Sequence, residues 1–130
     1  MKKILLMLVA LIATSFSAMA EDIYIVAGSE ELCGTAWDCT DLNNKMTDNG
    51  DGTYSKTFTN VAAMNGYQFK VTKNGTEWYG DEAGNNITFN VTTACDVTIT
   101  FNATTFKSTV TGSGAQAYVF NVAKVIAVGN

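Results

Sequence analysis

The sequence predicts an all-β domain, an antiparallel β-sandwich of about seven to eight strands, on three observations. Apolar and polar residues alternate in run after run: Tyr67, Phe69, Val71; Ile87, Phe89, Val91; Val97, Ile99, Phe101. Period-two spacing gives each strand one face for a core and one for solvent. Turn-forming clusters separate the runs at intervals of about ten residues, the rhythm of a small sandwich rather than of strands alternating with helices. Beyond residue 20 the helical period is almost absent, and β-branched residues are abundant.

The first 20 residues stand outside that domain. Lys2 and Lys3 precede an apolar run from Ile4 to Ala13, and Ser17-Ala18-Met19-Ala20 offers the small-x-small pattern of a signal-peptidase site. The run has no polar face and is too short to span a bilayer. The expectation is a bacterial export signal cleaved after Ala20, placing the protein in the periplasm or outside the cell, with no membrane insertion. Four Asn-x-Thr sequons, at Asn74, Asn86, Asn90 and Asn102, read in that setting as ordinary Asn/Thr-rich strand surface.

The rest is one domain's worth of chain, with the sandwich expected over residues 21–112. Asp22 to Ala27 reads as the first strand, ended by Gly28-Ser29. Glu30 to Lys45 has no clean period and reads as a long loop with a single helical turn. Met46-Thr47 resumes a strand, Asp48-Asn49-Gly50-Asp51-Gly52 is a turn, and Thr53 to Thr59 is a strand with Tyr54 and Phe58 on one face. Val61 to Asn65 connects to the strand through Tyr67, Phe69 and Val71. That strand turns on Asn74-Gly75, a pair suited to the positive φ angles of a tight hairpin. Three more strands follow, the last carrying Phe106 and Val110. Tyr24, Phe69, Phe89 and Phe101 are the expected core aromatics. Residues 113–130 offer two readings: a final edge strand through Tyr118, Phe120 and Val122, or the start of a truncated second repeat, since Val125 to Gly129 resembles Tyr24 to Gly28.

Composition narrows the chemistry. Beyond residue 20 there are 12 carboxylates against six lysines, a net charge of −6, and the chain contains no Arg. Such a surface neither releases phosphate counterions nor reads guanine edges, so nucleic acid is not an expected partner. With no His in the sequence, Ser-His and Cys-His nucleophile pairs are unavailable. Asp38, Asp41, Asp48, Asp51, Glu77, Asp81 and Glu82 all fall in predicted loops or turns, where solvation rather than glycoside hydrolysis is the expectation. The Asp48–Gly52 run has acidic alternation reminiscent of a calcium loop but lacks its closing Glu, so it reads as a plain hairpin turn. No metal or other cofactor is expected. Cys33 and Cys39 are spaced to close a small loop; a bridge from either to Cys95 is equally open, and one thiol is left over.

Binding has more to work with. Trp78 and Tyr79 follow the Asn74-Gly75 tip, and on a strand they point to opposite faces, so one of the two is the platform. An exposed indole offers an apolar plane to the C–H face of a sugar, leaving edge hydroxyls for Lys70, Asn85 and Asn86.

Together these residues carry a resemblance. Strand, Gly, a loop with Trp37, the turn into Asp51-Gly52-Thr53-Tyr54, the strand Tyr67-Gln68-Phe69-Lys70-Val71, the tip, Trp78 and Asn85-Asn86-Ile87 resemble starch- and glycogen-binding immunoglobulin-like modules. These include pullulanase accessory domains and the glycogen-binding domain of AMP-activated kinase β subunits. The resemblance implies an immunoglobulin-like sandwich that binds α-glucan without catalysis, beside a glycan-degrading enzyme. It implies stacking by Trp78 and Trp37, with Lys70 and Asn85 on hydroxyls and Asn86 adjacent. The alternative is a structural or adhesive module of a cell-surface assembly, for which the odd cysteine and the repeat-like tail speak.

Overall fold

The computed structural model describes residues 21–116 and the backbone of Tyr118–Val119; residues 1–20 and the remainder of the tail lie outside it. The export signal, Phe120, Val122 and the repeat-like Val125–Gly129 segment therefore fall outside the described residues.

Among the described residues nine strands form two antiparallel sheets. They are β1 (Tyr24–Gly28), β2 (Thr47–Asp48), β3 (Thr53–Val61), β4 (Met64–Lys73), β5 (Glu77–Tyr79), β6 (Ile87–Val91), β7 (Cys95–Asn102), β8 (Lys107–Thr111) and β9 (Tyr118–Val119). In the first sheet β1 lies on one side of β4, paired over Phe69–Lys73. β5 and β6 share the other side end to end, β5 against Val71–Lys73 and β6 against Met64–Phe69. The loop joining them, residues 80–86, consequently bulges from that edge. The second sheet runs β2-β3-β7-β8-β9. The predicted antiparallel sandwich is thus the observed architecture.

Alternation decides which side chains enter the core. Tyr67, Phe69 and Val71 are 1%, 0% and 0% exposed, and Ile87, Phe89 and Val91 join them from β6. They meet Phe58, Val97, Ile99, Phe101 and Val110 of the opposite sheet, with Tyr24 and Val26 from β1. All four aromatics expected inside are inside, and each fully buried ring contributes about 2–3 kcal/mol. Tyr24 packs on Tyr54 and Phe101, ring centres 4.3 and 5.4 Å apart, bridging the two sheets.

Four local expectations are corrected. The 30–45 segment is better ordered than a loop. It contains the helical turn α1 (Glu30–Cys33) and a 3-10 turn at Leu42–Asn44, and it stitches onto the edge of β1. Ala36 bridges Gly28 in parallel, Lys45 bridges Ile25 antiparallel, and the Trp37 and Met46 amides donate to the Gly28 and Tyr24 carbonyls, both at 2.8 Å. No disulfide forms: Cys33, Cys39 and Cys95 are all free. Cys33 is buried at the end of α1 with its thiol toward the Val26 carbonyl, whereas the Cys39 thiol sits over the Gly75 carbonyl at the hairpin tip. Phe106 is not on a strand; it closes the β7–β8 turn in the left-handed region (φ +63°), its amide donating to the Asn102 carbonyl at 2.7 Å. Finally, the 61–65 connection is mostly strand, because β3 runs to Val61 and β4 starts at Met64.

Candidate functional site

Register fixes what the first sheet shows to solvent. Val71 is opposite Tyr79 and Thr72 opposite Trp78, and directly paired residues of antiparallel strands project to the same face. Val71 points into the core, so Tyr79 does too. Its ring lies 5.3 Å from Phe101 and stacks on Phe106 at 4.9 Å with an interplanar angle of 2°. Trp78 therefore projects outward and is 40% exposed. Trp78 and Tyr79 stand back to back across β5 and do not form one platform.

Along the outer face, β4 contributes Gln68, Lys70 and Thr72. Thr72 is fully buried, its hydroxyl donating to the Ile25 carbonyl at 3.0 Å. Lys70 is half-buried because its stem lies over Gly80: a Cβ built on Gly80 would be 3.1 Å from Lys70 Cε. Gln68 accepts from the Asn86 amide at 3.3 Å. Trp78, Lys70, Gln68 and Asn86 thus form one strip, apolar at one end and hydrogen-bonding at the other.

The 80–86 loop holds the strip in place through Asp81. Its carboxylate accepts from the Ala83 and Asn85 amides at 2.9 and 2.8 Å, while its own amide donates to the Asn85 carbonyl at 2.9 Å. This local pairing of a carboxylate with nearby amides is the reason Asp favours turns. Backbone contact between Gly80 and Asn85 is so close that any Cβ on Gly80 would fall 2.0 Å from the Asn85 carbonyl oxygen. Asn85 itself is exposed.

Trp37 lies apart. It is 36% exposed with φ +54°, on the segment that borders β1 level with Gly28. Strand spacing and rise put its backbone roughly 15–20 Å from that of Trp78. The two indoles therefore do not share one surface patch.

The Tyr79 hydroxyl donates to Glu77 Oε1 at 2.6 Å, and this bond to a neighbouring carboxylate pushes the phenol up to about 12. Asp38 and Asp51 are held below the ordinary carboxyl range by hydrogen bonds from Thr40 and Thr53. Asp48 and Asp51 spend their oxygens on the Gly50 and Thr53 amides of their own turn.

Gln68 is the contributor not expected from the sequence, although it stands two residues before Lys70 on the same outward face. Asp81, expected only to be solvated, instead organises its loop, a role its place three residues before Gly84 in an Asn/Gly-rich turn fits.

Residues 24–108 match the family model of the pullulanase X25 domain. Among solved structures, the pullulanase from Bacillus acidopullulyticus aligns over 77% of this chain with a TM-score of 0.58 at 14% identity, a likeness of fold. The alignment spans 17% of that protein. No curated protein matches the chain. The resemblance to pullulanase accessory domains is thereby shown, and, matched from the first core strand into β8, the chain belongs to the pullulanase X25 domain family.

Proposed function

We propose that this domain is a non-catalytic α-glucan-binding module whose contact surface is the outer strip of the first sheet. The observation that carries the reading is the outward Trp78 beside Lys70, Gln68 and Asn86 on one rigid face, in a domain of a family named for pullulanase. The indole plane receives the C–H face of a glucose ring. The Lys70 ammonium and the Asn85 and Asn86 amides donate to, and Gln68 accepts from, its edge hydroxyls. Trp37, at the far side of the sheet, engages a separate ring of the same chain.

The strip is open and shallow. One or two ring stacks of about 0.5–1.5 kcal/mol each, with a few exposed hydrogen bonds, place the dissociation constant between micromolar and millimolar. That suits a module which keeps a polymer near an enzyme without arresting it. The partner protein is then a glycan-degrading enzyme, in the same polypeptide or the same assembly, and the leader-like pattern of the first 20 residues supports an address outside the cytoplasm.

Affinity electrophoresis in gels containing amylose or glycogen tests this. Wild type is retarded and Trp78→Ala migrates as in the empty gel. Equal retardation of both removes the site assignment, and no retardation of wild type removes α-glucan as the ligand.

A further inference from the structure

Phe106 is anomalous in two ways. It is 47% exposed, and it holds a bulky side chain at φ +63°, where glycine or asparagine is the usual occupant. Residues held in such a conformation at the surface point toward a role for the side chain rather than for stability. The ring is also fixed, lying parallel to Tyr79 (2°, 4.9 Å), with Tyr79 in turn tied to Phe101 and Glu77. One face of a rigid aromatic pair is therefore left to solvent directly behind β5, the three-residue strand whose front carries Trp78.

We infer that Phe106, backed by Tyr79, is a second stacking surface for the same glycan, reached by a chain that passes from Trp78 around the free edge of β5. The inference rests on the α-glucan reading above and adds a length requirement to it. β5 has β4 on one side only, and its neighbour along that edge, the 80–86 loop, is held back by the Gly80–Asn85 contact. β5 is only three residues long and its outer edge pairs with no other strand among the described residues, so this edge is the route the inference requires. An α-linked glucan bends as it extends, whereas a flat β-linked chain does not follow a strand edge, so curvature is what this surface selects. Glu77, which accepts from the Tyr79 hydroxyl, lies on the path with an exposed carboxylate able to accept from a sugar hydroxyl.

The test compares maltotriose with maltoheptaose by isothermal titration, using wild type, Phe106→Ala, Phe106→Gly and Trp78→Ala. Phe106→Gly also relieves the backbone at φ +63°, which offsets part of the packing lost from Tyr79, and near-ultraviolet dichroism checks that it is folded. Expected are a three- to tenfold loss for maltoheptaose in both Phe106 variants, from the lost aromatic contact, and an unchanged affinity for maltotriose. Trp78→Ala loses both. Unchanged maltoheptaose affinity in Phe106→Gly, or equal losses for the two lengths, overturns the second surface while leaving Trp78 in place. Failure of wild type to bind either sugar overturns the α-glucan reading and this extension together.

Discussion

Replacing Gly80 with alanine tests the link between fold and site most directly. A Cβ at this position would stand 2.0 Å from the Asn85 carbonyl oxygen and 3.0 Å from its carbon. Neither atom is the loose end of a side chain, so the loop must move by about 1 Å to restore van der Waals separation. That displacement breaks the 2.9 Å bond from the Asp81 amide to the same carbonyl. Losing it costs about 1 kcal/mol, and forcing an extra methyl against packed backbone costs another 1–3 kcal/mol or so. The sum, about 2–4 kcal/mol, corresponds to a fall in Tm on the order of 10–20 °C for a domain of this size. Because the loop carries Asn85 and Asn86 and backs Lys70, the proposed glucan binding should weaken as well, even at temperatures where the variant is folded. Gly84→Ala is the control. Gly84 has φ +82° but open space around it, so the cost there is conformational only, about 1–2 kcal/mol. Calorimetry on the three proteins decides the matter. A Gly80→Ala protein melting within about 2 °C of wild type, well inside the predicted fall, would refute the close-approach reasoning.

Two further outcomes follow from side chains away from the strip. Burial pushes the Cys33 thiol up to about 11 from 9.0, so its folded state holds the proton more tightly than the unfolded chain. The resulting stability is complete below pH 9 and is lost as pH rises through 11. Urea titrations between those pH values should show it, and Cys33→Ala should flatten the slope. Asp41 accepts from Thr35 Oγ1 at 2.8 Å and from the Asn43 amide at 3.0 Å, pinning the 3-10 turn. Asp41→Ala should cost about 1 kcal/mol in denaturant unfolding, and an unchanged midpoint would show that the turn stands without its cap.

The strands were readable because each repeats one rule: Tyr67, Phe69 and Val71 alternate and enter the core at 0–1% exposure. The same rule separated Trp78 from Tyr79, which needs only their adjacency on a strand. What escaped reading is what tertiary contact decides. Nothing local to residues 34–45 announces that Ala36 and Lys45 will pair with β1, since the partners are earlier strand residues supplying free edge groups. Cys33 and Cys39 have suitable spacing for a bridge, but one is held in the core by α1 and the other is carried to the hairpin tip. Phe106 stands four residues before Val110, a spacing that fits strand alternation. Its positive φ follows from closing the turn at Asn102, which composition does not disclose.

The β4–β5 hairpin tip is also tied to the start of the domain. Asn74 Oδ1 accepts from the Ile23 amide and the Asn74 amide donates to the Ile23 carbonyl, both at 2.8 Å, between residues 51 positions apart. Local hairpins close in microseconds, whereas contacts of such separation are made late and slowly in β proteins. The ribbon bearing Trp78 can therefore close locally, but its tip is fixed only when the N-terminal strand docks. Late docking implies early release. Under mild denaturant, hydrogen exchange should find the amides of β1 and the hairpin tip opening together, so the proposed ligand would slow exchange at Ile23 without touching it.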